Sequence, residues 1–104
     1  MTQPALSPLS GAPLSALCFG AMQFGGTADA TACAQMFAAC RAAGVNFFDT
    51  AHGYTEGRSE TILGQLAKAE REDLLIASKV GYVGGCVPAQ GGIALSLKRM
   101  NRIL

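Results

Sequence analysis

The fold is constrained most by a regular alternation of segments with strand character and segments with helical periodicity. Short apolar runs predict buried strands, and the segments after them carry apolar residues at the i, i+3, i+4, i+7 spacing of one helical face. The predicted strands cover residues 15–22, 45–50 and 74–80, so the pattern repeats about every 30 residues. Strands that alternate with helices are joined by right-handed crossovers in a parallel sheet. We therefore predict an α/β fold with parallel strands.

Three helices are predicted between and after these strands. The first begins after Asp29, a candidate N-cap, and ends at Gly44. The second covers residues 59–69, a charged run at 70–73 predicts a loop, and the third helix begins at Ile93. The apolar face of the first helix consists of Cys33, Met36, Phe37 and Cys40.

Two parallel architectures are compatible with this order of elements: an open, doubly wound sheet and a closed (β/α)₈ barrel of the TIM type. A dinucleotide-binding sheet usually carries a G-x-G-x-x-G motif after its first strand, and a phosphate-binding loop carries G-x-x-x-x-G-K-[ST]. Neither motif occurs in the sequence. The open sheet therefore lacks its usual local evidence, but the residues alone leave both architectures open.

Composition narrows the class of protein. Of the 104 residues, 50% are hydrophobic and 14% are charged, and the formal net charge is +1. This balance favours one globular domain and disfavours disorder, nucleic-acid binding and charge-driven membrane binding. The apolar runs are shorter than the roughly 20 residues of a membrane-spanning helix. A targeting peptide would carry basic residues near the N-terminus, but the first Lys or Arg of the sequence is Arg41. We expect a cytoplasmic protein.

The four cysteines do not indicate a metal site. Cys18, Cys33, Cys40 and Cys86 form no C-x-x-C pair and have no histidine beside them, so a zinc site is disfavoured. We expect all four to be reduced thiols that act as small apolar core residues.

Two charged residues stand at the carboxyl ends of predicted strands, where parallel α/β folds place their reacting groups. Asp49 ends the second strand and Lys79 the third. If both face the same side, strands about 4.8 Å apart bring them into contact as an ion pair. Tyr54 follows in the next loop, and a phenol donates a proton readily at neutral pH only where a cation such as Lys79 stabilises its anion. The three residues together are suited to carbonyl reduction.

Each of these residues also has an ordinary structural interpretation. A strand-end aspartate often caps a helix, a loop tyrosine usually packs, and a lone lysine is usually exposed. Their occurrence at successive strand ends favours the functional interpretation. His52, the only histidine, could act as an acid or base, but we expect it to line the loop.

The longest motif surrounds the second predicted strand. The pattern consists of GVNFFDTAHGY at 44–54, GRSE at 57–60, LG at 63–64, FGAMQFG at 19–25, ASK at 77–79 and SLKRM at 96–100. This pattern resembles the signature of the aldo-keto reductase family, over about Leu17 to Met100.

The resemblance implies a (β/α)₈ barrel that reduces an aldehyde or ketone with NADPH and without a metal. By motif position, Tyr54 would be the proton donor, Lys79 the cation that supports it, and Asp49 the partner of Lys79. The substrate would be a small carbonyl compound. The cofactor-binding residues, at the nicotinamide end, would be Gly20, Ala21, Met22 and Asp49.

The family's catalytic histidine after the fourth strand and its late phosphate-binding loops have no counterpart here, and a whole barrel needs about 250 residues. We expect residues 1–104 to be the N-terminal part of such a barrel, about three βα units, inactive without a complementing C-terminal segment or self-association. One alternative is a catalytically silent fragment, or a binding or regulatory module that needs a partner chain. Another is a different barrel enzyme in which Asp49 and Lys79 serve proton abstraction or Schiff-base chemistry, which the motif around Tyr54 disfavours.

Overall fold

Three short parallel strands form one sheet in the chain order β1-β2-β3. They come from a computed structural model that describes residues 6–79, so the predicted helix beginning at Ile93 lies outside the described residues. Phe48 of the central strand pairs with Phe19 on one side and Ile76 on the other. The predicted parallel α/β arrangement is confirmed. The strands are β1 at Phe19–Gly20, β2 at Phe47–Asp49 and β3 at Leu75–Ala77.

The strands are shorter than the sequence predicts. In β1 the reason is that side-chain hydrogen bonds before the strand, and a turn after it, replace the main-chain hydrogen bonds of the sheet. Before β1, the Ser15 N–H donates to Asn46 Oδ1 at 2.8 Å, and the Asn46 N–H donates to Ser15 Oγ at 3.2 Å. After β1, the Ala21 N–H still donates to the Asp49 carbonyl at 2.8 Å, but the Ala21 carbonyl accepts from Phe24 within a turn. The first predicted strand therefore contracts to two residues.

The first helix, α1, spans Ala30–Ala42 and has the ends that the sequence predicts. The Asp29 carboxylate accepts a hydrogen bond from the Ala32 N–H at 2.8 Å and caps the amino end. At the other end, Gly44 adopts φ +87°, a left-handed conformation that glycine tolerates best.

The second helix, α2, spans Arg58–Ala67 rather than residues 59–69. A 3-10 segment continues over Lys68–Asp73 and contains the charged run that the sequence places in a loop. The non-helical backbone of Glu70 interrupts this segment, so the chain leaves the helix direction before β3.

The hydrophobic core fills the space between the helices and one face of the sheet. The fully buried Phe48 stacks on Phe37 of α1, with ring centroids 5.1 Å apart, and meets Phe19 edge-on at 6.1 Å. Strand alternation turns Phe47 and Asp49 to the opposite face, where both are half-buried. The candidate site lies on this opposite face.

The described cysteines occupy different environments. Cys33 is buried and Cys40 packs against the core, as expected. Cys18 is exposed, so its assignment to the core is wrong. It directly precedes β1 and alternates with Phe19, which places it on the sheet face away from the helices.

The described part of the chain contains neither a helix suited to span a membrane nor a cluster of residues suited to bind a metal. Among residues 6–79, no helix has both the length and the apolar character that crossing a membrane requires. In the same range, no three His, Cys, Asp or Glu side chains are grouped so that they could hold a metal ion.

Candidate active site

The Lys79 ammonium lies at the centre of the candidate site. Its Nζ is 3.0 Å from each carboxylate oxygen of Asp49, 3.0 Å from the Tyr54 hydroxyl and 3.1 Å from the Thr50 carbonyl. It also lies 4.7 Å from the centroid of the Tyr54 ring. The structure thus brings the three predicted catalytic side chains into contact at the carboxyl ends of β2 and β3.

The strand register explains how Asp49 and Lys79 meet. Asp49 ends β2 and pairs with Ala77, and Lys79 lies two residues further on, so its side chain returns to the same face. Main-chain bonds extend the pairing beyond β3: the Thr50 N–H donates to the Ala77 carbonyl at 2.8 Å, and the His52 N–H donates to the Lys79 carbonyl at 3.3 Å. The backbone therefore fixes both ends of the ion pair.

Tyr54 begins a strained turn, a 3-10 segment at Tyr54–Gly57. Thr55 has φ 49° and Glu56 has φ 59°, left-handed values that are unusual for side chains other than glycine and especially for a β-branched one. The Thr55 hydroxyl donates to the Phe24 carbonyl at 2.7 Å and accepts from the Ser59 N–H at 3.0 Å. These bonds hold the turn in place and with it the phenol.

The ion pair is open to water, since the side chains of Lys79 and Asp49 are 53% and 36% exposed. The hydrogen bond to Tyr54, together with the hydrogen bond and charge of Asp49, raises the pKa of the Lys79 ammonium, although partial loss of hydration opposes the rise. Lys79 therefore carries its positive charge throughout the neutral range. The site presents a hydroxyl and a cation side by side to any ligand that approaches.

The three residues predicted to line a cofactor together with Asp49 differ in exposure. Gly20 ends β1 in register with Asp49 and is exposed, and Met22 is 52% exposed. Ala21 is fully buried; its N–H donates to the Asp49 carbonyl, and its carbonyl accepts from Ser59 Oγ at 2.6 Å. Only Gly20 and Met22 of these three are thus open to a ligand.

A buried polar cluster next to the site is absent from the sequence predictions. The fully buried Glu60 places Oε1 3.2 Å from Nδ1 of His52 and accepts a 2.7 Å hydrogen bond from the Ser78 hydroxyl. His52 thus lies beneath the loop rather than along its surface. The sequence does contain a pattern that could have predicted the burial of Glu60: it lies three residues before Leu63 and seven before Ala67, on the apolar face of α2.

The described residues form a parallel array of strands and helices in which an aspartate, a tyrosine and a lysine meet at the strand ends. The chain belongs to the aldo/keto reductase family, whose sequence profile matches residues 16–103. The resemblance seen in the motif is confirmed, and the matched structures decide between the architectures in favour of the barrel.

Proteins that are similar to this chain bear names that indicate different roles. A probable voltage-gated potassium channel subunit beta of Arabidopsis thaliana is 38% identical in an alignment 105 positions long, which covers 88% of this chain and 32% of that protein. An NADH-specific methylglyoxal reductase of Escherichia coli is 37% identical over 65 residues, 62% of this chain and 20% of that one. A solved Pseudomonas aeruginosa structure assigned to the aldo-keto reductases superposes with a TM-score of 0.77 at 35% identity, covering 96% of this chain and 40% of that chain. The chain spans about a third or less of the length of these curated relatives.

Proposed function

We propose that the site reduces the carbonyl group of a small aldehyde or ketone to an alcohol, with NADPH as the hydride donor. The observation that carries the proposal is the contact of the Tyr54 hydroxyl with Lys79 Nζ at 3.0 Å, while the same ammonium binds both oxygens of Asp49. A hydroxyl with a fixed cation beside it is the arrangement that protonation of a carbonyl oxygen requires.

Each side chain has one task in the proposed reaction. Tyr54 gives its proton to the carbonyl oxygen, and Lys79 stabilises the phenolate that is left. Asp49 holds Lys79 in place and keeps it charged. When bound, NADPH supplies the hydride that adds to the carbonyl carbon. Hydride and proton together convert the C=O group into an alcohol, and water returns the proton to Tyr54.

The residues beside the site leave an open surface that a nicotinamide ring could occupy. A Cβ built on Gly20 would meet no atom within 4 Å, although Gly20 is the register partner of Asp49. The missing side chain therefore leaves free space on the face that carries Asp49. The exposed Met22 offers an apolar contact next to that space, whereas Ala21 would contribute only its main chain.

The choice of NADPH over NADH is the finer part of the proposal and rests on the family resemblance. The Escherichia coli relative is named as NADH-specific. Both dinucleotides therefore belong in any assay of this chain.

A binding or regulatory module that needs a partner chain is the second candidate. It is favoured by the Arabidopsis thaliana relative, which bears the name of a potassium channel subunit beta. Under this candidate the site would bind a dinucleotide without turnover. The contact between Tyr54 and Lys79 supports the reductase over this alternative, because dinucleotide binding alone does not require a proton donor.

The test measures oxidation of NADPH, and separately of NADH, in the presence of an aromatic aldehyde. The chain is assayed alone and mixed with a C-terminal barrel segment taken from an aldo-keto reductase. Aldehyde-dependent oxidation in either sample is the expected result. No oxidation in samples whose fold is verified by circular dichroism would reject the reductase, and dinucleotide binding in those samples would establish the second candidate.

A further inference from the structure

The buried carboxylate of Glu60 has no role in the proposed reaction, yet it occupies a position that needs an explanation. Its side chain is fully buried at the start of α2. Burial of a carboxylate is costly unless hydrogen bonds or an opposite charge compensate. Within residues 6–79, no Lys or Arg lies within salt-bridge distance of Glu60, and His52 is its one basic neighbour.

The two partners of Glu60 lie on the two chain segments that flank Lys79. Ser78, which donates to Oε2 at 2.7 Å, is the residue directly before Lys79. His52, whose Nδ1 lies 3.2 Å from Oε1, donates its main-chain N–H to the Lys79 carbonyl at 3.3 Å. One carboxylate thus joins the end of β3 to the loop that leads from β2 to Tyr54.

We infer that Glu60 is a positioning residue that sets the place of the Lys79 ammonium beside Tyr54 and Asp49 by holding Ser78 and His52. This inference rests on the proposed function, in which the placement of Lys79 matters for proton transfer. Glu60 does not reach the reacting groups itself. It acts through the main chain on both sides of Lys79.

The position of Lys79 explains why additional hydrogen bonds from Glu60 help to fix its backbone. Lys79 lies beyond the last residue of β3, and among residues 6–79 the main-chain bond that continues the strand pairing at Lys79 is the one from His52. A lysine side chain is long and has many rotamers, so its ammonium stays at one point only if its backbone is fixed and its acceptors are correctly spaced. The bonds of Glu60 to His52 and Ser78 reinforce the main-chain bond from His52 in meeting the first of these conditions.

The test observes the Lys79 ammonium directly, without cofactor or substrate, in the full chain. The chain has three lysines, Lys68, Lys79 and Lys98. In ¹⁵N-lysine NMR at low temperature and mildly acidic pH, the ammonium with several acceptors should exchange its protons with water slowly enough to be observed. Loss of that signal in Lys79→Arg assigns it.

Four variants separate positioning from general stability. Glu60→Ala and Ser78→Ala should speed exchange of the Lys79 protons by about 3- to 10-fold, as expected for one or two lost hydrogen bonds. Glu60→Gln should restore the slow exchange, because its amide oxygen can accept from Ser78 and its NH₂ can donate to His52. Leu63→Val removes a methylene from the same face of α2 and no polar group, so it should leave the exchange rate unchanged.

Three outcomes would overturn the inference: wild-type exchange in both alanine variants, failure of Glu60→Gln to restore the slow rate, or faster exchange in Leu63→Val. If Glu60→Ala does not fold, Ser78→Ala decides, because it removes one bond at a half-buried position. The result is independent of the reductase assay. No aldehyde-dependent oxidation by the chain, either alone or mixed with the C-terminal segment, together with the expected exchange pattern would reject the proposed function and leave the positioning intact.

Discussion

Lys79 binds both carboxylate oxygens of Asp49 at 3.0 Å although 30 residues separate the two in sequence. The pair is partly exposed, and ion pairs in water contribute little to stability. Its importance therefore lies in the geometry that it imposes on Lys79 and Tyr54 rather than in the free energy of folding.

Asp49→Asn should separate these two effects. We expect the free energy of unfolding in urea to change by less than about 1 kcal/mol, because the pair is solvent-screened. We expect aldehyde reduction in an active assembly to fall by about 10²-fold or more, because Lys79 loses the charge that holds it beside the proton donor. A large loss of stability with little loss of activity would contradict the assignment.

Tyr54→Phe should remove the proton donor and little else. The expected result is a fall in kcat of about 10²- to 10⁴-fold, the usual contribution of a general acid, with the Kd for NADPH nearly unchanged. Equal losses of cofactor binding and turnover in Tyr54→Phe would mean that Tyr54 is structural.

The reactivity of Cys18 should report the charges of the site. Partial loss of hydration, followed by the charge of Asp49, raises the pKa of the Cys18 thiol, and Lys79 opposes the rise. At mildly alkaline pH the thiolate is therefore scarcer than in free cysteine, and alkylation by iodoacetamide should be slower. Asp49→Asn removes a cause of the increase and should speed alkylation, whereas Lys79→Met should slow it.

Cys40 provides the internal control for this experiment, because burial alone raises the pKa of its thiol. Its alkylation rate should be the same in both variants when tandem mass spectrometry assigns the label to each cysteine. Parallel changes at Cys18 and Cys40 would indicate loosening of the fold rather than an electrostatic effect.

Two glycines near the site should respond differently to an added methyl group. A Cβ on Gly20 enters free space, so Gly20→Ala should fold normally but weaken dinucleotide binding, measured by fluorescence titration. Gly25 has φ +83°, and its Cβ would lie 2.6 Å from Cβ of Arg58, so Gly25→Ala should lower the free energy of unfolding by more than about 1 kcal/mol. Unchanged binding in Gly20→Ala would contradict the proposed cofactor position.

Much of the fold follows from local patterns. Asp29 and Gly44 were predictable as the limits of α1, because a cap and a left-handed glycine act within one helical turn. The positions of Asp49 and Lys79 at strand ends were also predictable, and strict alternation of side chains along each strand made a shared face possible, but the register of β2 and β3 decided it.

The lengths of the strands and the choice between an open sheet and a barrel were harder to predict from the sequence. The sequence does not show that Asn46 and Ser15 bind each other, which ends the ladder of β1 early. Three consecutive parallel strands can begin an open sheet or a barrel, so the order of the strands does not separate the two. That distinction came from the matched structures.

The sequence by itself determined the alternation of strands and helices, the family, and the placement of Asp49 and Lys79 at strand ends, because each depends on spacing along the chain. Tertiary structure alone decided that Glu60 is buried and that Ser78 and His52 are its partners. The physical reason is that a charged residue on an apolar helix face has no defined partner until the helix docks. Once α2 packs on the sheet, the end of β3 and the loop after β2 meet at that carboxylate, and no local pattern encodes that meeting.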